Sequence, residues 1–462
     1  MLFYAQSVLV TEPIPLRSGE WYKIIGKMKN RYLLFKETFD GKYEITGFDE
    51  DLNLKWAKEI ELDHKRSKVF FVNSAKDNFT VIYGYQAKGD IVVKAHKYDP
   101  GANLLDSITI YNNKSNFNGP DFQVIQSDDK SKLLFYFIED QEKVYAFSFD
   151  VDNMKVLWDC VFVPERLAFQ RDFLQVLVSD RGEMFFILGK DNQKSRKEEH
   201  SYDIYIGNEE TASTSIKFFT FPMNEKLTFD IVFSFDNLNN RIVAGGLYSE
   251  KSKTKSVGYF YLSISPDKPE EYRLTFEPFN DEFVSNFLGK KVEADKGLTE
   301  AVIQEIILRR DGGIVLIGEQ AVHSERQTVG AGSIGTGMGH IYFDYYYDDL
   351  FVISIHPTGE THWKTILHKK QYSYDDDAVY SSFFLLKTKK SLGFFFNDEI
   401  KYENTVSEYV LNGDGKYERN SVLNTKNKKL RLMFRQGVQV SSDEFIVPSE
   451  FRNRLNLVSI KS

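Results

Sequence analysis

The chain has 462 residues, 42% of them apolar, 27% charged and 15% aromatic, a composition that excludes disorder, collagen-like repeats and linker-dominated chains. Its length suits about three domains or one large fold. Acidic residues outnumber basic ones by 67 to 59, for a net charge of −8 with the two signs mixed along the chain; without a basic stripe, no nucleic acid is expected as a partner.

Residues 1–6 form an apolar stub ending near a small residue and read as the remnant of a secretory signal, although the basic n-region and a full h-region are missing. The expected location is therefore periplasmic or secreted. No run reaches the roughly 18 apolar residues of a membrane helix, so a membrane-spanning chain is not expected. Ser7 to Thr11 is a short apolar strand with no partner nearby in sequence. Trp21 to Ile25 then begins a recurring pattern.

The clearest part of that pattern is an alternating strand, a turn of Asp, Asn, Pro or Gly, and a second strand often opened by Trp. Tyr43 to Asp49 leads to Trp56, Val144 to Asp150 leads to Trp158, and Phe351 to Gly359 leads to Trp363. Three of the four tryptophans fill this one slot. Weaker copies begin near Ile91, Ile204, Tyr259 and Tyr409. Each pair is preceded by a more apolar hairpin with a tight Asp or Gly turn, such as Val176 to Leu188 and Ile306 to Ile317, where Asp-Gly and Gly-Gly supply the positive φ that such turns need. We label the four strands of one unit A, B, C and D. Cys160, the single cysteine, lies in the apolar run Trp158 to Val163; a buried, inert thiol is expected there, with no intrachain disulfide and no cysteine-rich metal site.

Between Tyr259 and Phe351 the pattern stretches. Residues 280–298 carry Phe283, Val284, Phe287 and Leu288 at helical spacing, which predicts a short helix packed on the core. Residues 323–349 read as a long loop insertion with glycines at its tip and an aromatic, acidic return. Gly330, Gly332 and Gly335 match G-x-G-x-x-G, but a dinucleotide site needs a helix immediately after, and here tyrosines follow. Ala331 to Gly335 likewise misses the G-x-S-x-G elbow. The eight histidines form no H-x-x-x-H or H-E-x-x-H pair, and Asp375, Asp376 and Asp377 read as a solvated acidic loop. No catalytic residue, metal site or cofactor is expected.

Repeat starts at Tyr43, Ile91, Val144, Ile204, Tyr259, Phe351, Tyr409 and Leu455 lie 46 to 60 residues apart except for one gap of 92. Four-stranded units of this size repeated along a chain are the mark of a β-propeller. The last unit has A (Leu430 to Val440), B (Phe445 to Val447) and C (Leu455 to Ile460) but no D. Ser7 to Thr11 can supply it and close the ring, leaving no exposed sheet edge at the join. The predicted fold is all-β: one domain over residues 7–462, an eight-bladed propeller of four-stranded antiparallel blades, with seven blades as the alternative.

The segment Val144 to Trp158 resembles the repeat of quinoprotein-type propellers, a group that includes quinone-dependent dehydrogenases and the non-catalytic outer-membrane assembly lipoprotein. Asp311-Gly312-Gly313 into Ile314 to Glu319, followed by Phe351 to Trp363, resembles the repeats of exported bacterial propellers. The dehydrogenases use a disulfide between neighbouring cysteines and a calcium site; one cysteine rules the first out. The resemblance therefore implies a non-catalytic exported scaffold that binds another protein, in a cell-envelope or secretion assembly. The alternative is a carbohydrate-binding or carbohydrate-active propeller. Tyrosine gives large contact area at low entropic cost, and long loops on rigid scaffolds commonly carry binding. His340, Tyr342, Tyr345, Tyr346, Tyr347, Asp348 and Asp349 are accordingly the candidate partner-binding residues.

Overall fold

The computed structural model describes residues 7–114, 121–165, 168–193, 199–213, 215–250, 255–328, 340–398, 405–424 and 430–462. The stub 1–6 and the glycine-rich stretch 329–339 lie outside the described residues. The strands form eight antiparallel sheets, each with the order A-B-C-D. Blades 1 to 7 occupy residues 21–60, 68–114, 123–162, 173–222, 227–278, 301–367 and 384–424. Blade 8 takes A to C from residues 438–461 and D from Ser7–Val10. Strands A touch one another between blades 1 and 2, 3 and 4, 4 and 5, 5 and 6, and 8 and 1, which puts them around the axis and strands D at the rim. The fold is an eight-bladed β-propeller.

The tryptophan hairpins are the C–D pairs. Each Trp stands opposite a small residue, Gly47 for Trp56, Ser148 for Trp158 and Ser354 for Trp363, and a register shift follows immediately. At Gly47 the fit leaves no room for a side chain, since a Cβ would sit 2.3 Å from the Trp56 ring. Two of the indoles also tie blade to blade. Trp158 Nε1 donates to the carbonyl of Gly182 in the next A–B turn at 2.9 Å, and Trp363 Nε1 donates to Gly413 O of the next C–D turn at 2.8 Å. Most aromatic mass lies in clusters shared by adjacent blades; Ile82 and Val93 of blade 2 pack with Phe135, Phe147 and Phe149 of blade 3. Phe135 and Phe147 stack at 4.7 Å. Burying each such ring contributes roughly 1.5–3 kcal/mol. Cys160 is buried in the cluster between blades 3 and 4, and burial pushes its thiol up to about 12.

Ring closure follows the sequence expectation. Ser7 pairs with Lys461 and Val10 with Val458. Thr11 completes the join: its N–H donates to Leu457 O and its Oγ1 accepts from Leu457 N, both at 3.0 Å. Across the seam, Glu444 of blade 8 accepts from Lys27 Nζ at 3.1 Å and from the Tyr32 hydroxyl of blade 1.

The long gap also resolves. Asn280 caps the helix Asp281–Phe287 by accepting from Phe283 N at 2.9 Å, and Phe283, Val284 and Phe287 are buried against Phe351. The second piece differs from the expected loop. Strands B and C of blade 6, Ile314–Thr328 and His340–Ile355, run far past the blade as one hairpin, and Gln371–Tyr374 adds a third strand to it. Backbone groups leaving a sheet need partners, and pairing satisfies them where a loop would not.

Candidate docking surface

Because strands alternate in direction, A–B and C–D turns lie on one face of the ring, and B–C and D–A connections on the other. The helix 281–287, the hairpin arm of blade 6 and the connection 368–383 therefore share one face.

The arm has two distinct sides, set by the two-residue period of its strands. One side carries Tyr342, Asp344 and Tyr346 of strand C, with Arg326 opposite Tyr342 and, on the third strand, Tyr372 opposite Tyr346 and Tyr374 opposite Asp344. Tyr346 and Tyr372 have ring centroids 5.0 Å apart, and Tyr374 continues the row. In the middle Asp344 is buried. It accepts two bonds from the Arg326 guanidinium, at 3.0 and 3.2 Å, and one from the Tyr372 hydroxyl at 2.7 Å. That carboxylate raises the pKa of both Arg326 and Tyr372, and Arg326 also lies over the Tyr342 ring. The result is a stiff tyrosine face, with Tyr346 37% and Tyr374 48% exposed.

The other side carries Ile341, Phe343, Tyr345 and Tyr347. Its outer end is open, Ile341 being 49% and Phe343 46% exposed, whereas Tyr347 at the root is buried. The Tyr347 hydroxyl bonds to His323 Nε2 at 2.8 Å and accepts from Arg435 of the blade 8 connection at 3.1 Å. The three aspartates 375–377 brace the arm: Asp375 accepts from Phe343 N, Asp376 from Ser373 Oγ and Ala378 N, and Asp377 from the Tyr345 hydroxyl.

The root is pinned by a fully buried ion pair. Lys369 Nζ lies 2.6 Å from Glu319 and donates to Tyr347 O at 2.7 Å and Gln371 Oε1 at 2.8 Å. Burial pulls the lysine pKa down, and Glu319 works against that shift. Beside it, Asp349 accepts from His368 Nδ1 at 2.7 Å and from Lys369 N, and Asp348 accepts from Gln371 N. These groups open onto a cleft of about 560 Å³, also lined by Phe287, Leu288 and Arg419.

Of the candidate residues, Tyr342 and Tyr346 belong to the tyrosine face, Tyr345 and Tyr347 to the opposite side, and Asp348 and Asp349 to the root cleft. His340 is the first residue of its strand, and its side chain lies outside the described residues. Sequence reading passed over Ile341, Phe343, Tyr372 and Tyr374. The first two stood in the segment already singled out, and the alternation Gln371 to Tyr374 was the only sign of the third strand.

On the opposite face, carboxylates of the A–B turns of blades 3 and 4 approach one another. Asp129 is held by Ser127 Oγ, Ser131 Oγ and Ser131 N, and its own N–H donates to Asp180 at 3.1 Å. Burial, and then the nearby Asp129 charge, raise the pKa of Asp180. Asn237 links Asp128 to the N–H of Asp180. These carboxylates cap A–B turns. Among the described residues no three His, Cys, Asp or Glu side chains are placed to hold a metal, and no helix is long and apolar enough to cross a membrane.

No family model matches the chain, and no curated protein matches it. Among solved structures it is similar to dipeptidyl peptidase 4 of Porphyromonas gingivalis, at 10% identity and a TM-score of 0.45 over 94% of this chain but 56% of that one. It is similar to the WD40 domain of SCAP from fission yeast, at 6% identity and a TM-score of 0.40 over 99% and 98% of the two chains. It is also similar to the β-propeller domain of the Trilobed protease from Pyrococcus furiosus, at 11% identity and a TM-score of 0.37 over 90% and 98%. At such identities the likeness concerns the fold alone; that this chain is a β-propeller rests on its own eight four-stranded sheets.

Proposed function

We propose that this propeller is a non-catalytic, exported scaffold that binds another protein of the cell envelope or a secretion assembly through the arm of blade 6. The observation that carries this reading is the arm itself, a braced three-stranded projection exposing Ile341, Phe343, Tyr346 and Tyr374 where a solvated hairpin would carry charges. Rigid aromatic side chains are suited to such contacts because little rotamer freedom is lost on binding. The root cleft continues the surface toward blade 7.

The test is affinity purification from envelope extracts of the source organism with the full chain and with the variant Ile341→Ser, Phe343→Ser, Tyr374→Ser. All three side chains are partly solvated, so folding stability should change little. A partner recovered with the parent chain and depleted about tenfold or more with the variant supports the reading; the same partner in equal amounts refutes it. Export is tested separately by fractionating cells for the native protein, and recovery in the cytoplasm would remove that part.

A further inference from the structure

On the face that bears the arm, ring closure builds a second surface. A cleft of about 530 Å³ between blade 8, blade 1 and the connection into blade 8 is lined by Arg17, Tyr380, Arg431, Glu450, Arg452 and Arg454. Three separate segments are locked together to form it. Pro15 pairs with Arg454 and Leu16 N donates to Asn453 O at 3.0 Å, which brings Arg17 beside the B–C turn of blade 8. Arg431 N donates to Ser449 Oγ at 2.7 Å, which sets the third arginine segment next to Glu450.

The charges there do not cancel. Glu450 accepts from the Tyr22 hydroxyl at 2.7 Å, and burial together with that carboxylate pushes the tyrosine pKa far up, so the proton stays on the donor. Glu20 is engaged by Lys36 at 3.6 Å and by the N–H groups of Arg17 and Phe39. Among the described residues, the guanidinium groups of Arg17, Arg431, Arg452 and Arg454 form no ion pair with a carboxylate. Arg431 lies 5.8 Å from the Tyr380 ring centroid and also hydrogen-bonds to Tyr380, and Arg452 lies 5.1 Å from the Phe451 ring centroid, contacts that hold each guanidinium in place without neutralising its charge. By contrast Arg171, Arg309, Arg326 and Arg419 elsewhere in the ring each hold a carboxylate. Four guanidiniums line this cleft against two carboxylates, Glu20 and Glu450, and Glu20 is also met by Lys36, so even in a chain with net charge −8 the cleft keeps an excess of positive charge complementary to anions.

We propose that this cleft binds an acidic peptide segment, carboxylates of Asp or Glu side chains bridging the arginines of the three segments. The four side chains are all exposed, and an exposed ion pair is individually weak, so one small anion gains little. A chain bearing several carboxylates engages them together, and each guanidinium can hold a carboxylate through two N–H groups. The proposal rests on the reading of the ring as a protein-binding scaffold, but not on the arm.

The test uses the full chain and a short labelled peptide of alternating Glu and Gly, with a Gln-Gly peptide of equal length as control, read by fluorescence anisotropy. The Glu peptide should bind, weaken as salt is raised, and lose about tenfold or more in affinity in Arg452→Glu/Arg454→Glu and, separately, in Arg17→Glu. The arm variant Ile341→Ser, Phe343→Ser, Tyr374→Ser should bind it unchanged, which separates failure of the cleft from failure of the arm. Equal binding of the Glu and Gln peptides, or unaltered affinity in both charge-reversal variants, would overturn the proposal. So would binding of phosphatidylglycerol vesicles through these arginines with no binding of the Glu peptide.

Discussion

Gly47 and Trp56 show how closely a single position can be fixed. With the indole occupying the space above the glycine, Gly47→Ala forces ring or strand to move, and a loss of about 1–3 kcal/mol is expected in denaturant unfolding. The tryptophan slot was visible in the sequence because a large residue recurs after the same turn; its small partner on strand C was not singled out. The Lys369–Glu319 pair was invisible, since nothing in the sequence distinguishes one lysine and one glutamate from the others when burial decides their role. Lys369→Met leaves a buried carboxylate without its cation and should cost about 3–5 kcal/mol, whereas Lys369→Met with Glu319→Gln should recover part of that loss. Equal stability of the single and double variants would show that the pair is not coupled.

At the scale of elements, the C–D hairpins were legible because strand, turn and strand follow one another within a few residues. The arm was legible as an insertion but not as a sheet. Val322 to Arg326 mixes apolar, polar and charged residues, as a loop does, and its third strand comes from beyond strand D. Its stiffness depends on Asp344, which draws Arg326 of strand B and Tyr372 of the third strand onto strand C. Asp344→Asn removes the charge from that centre. Faster amide hydrogen exchange is expected at 321–328 and 340–347, with the blade 1 to blade 5 amides unchanged. Exchange that stays the same in the arm would mean that pairing alone holds it.

For the whole molecule, closure decides both stability and the second surface. The blade count and the use of the N-terminal strand followed from a missing D strand, a long-range inference that required only counting. The arginine cleft could not be inferred in the same way, because Arg17 and Arg454 are neighbours only once the ring has closed. The seam has its own pH dependence. Burial works to raise the Glu444 pKa, but hydrogen bonds from Tyr32, Ser459 and Lys27, with the lysine charge, hold it below its ordinary value of 4.5. A lowered carboxylate pKa contributes stability above the unfolded-state value, and that contribution is lost as pH falls through the folded-state value. Acid should therefore loosen the join of blades 8 and 1, and Glu444→Gln should flatten stability against pH in that range; an unchanged acid limb would contradict this role.

The central claim, that the arm is where a protein partner docks, is tested most directly by site-specific photocrosslinking in cells of the source organism. A photoreactive residue replaces Phe343 or Tyr374 on the arm, or Tyr272 on the outer strand of blade 5 as control. One partner captured from 343 and 374 but not from 272 is the expected result. Equal capture from all three positions, or capture from 272 alone, would contradict an arm-centred interface.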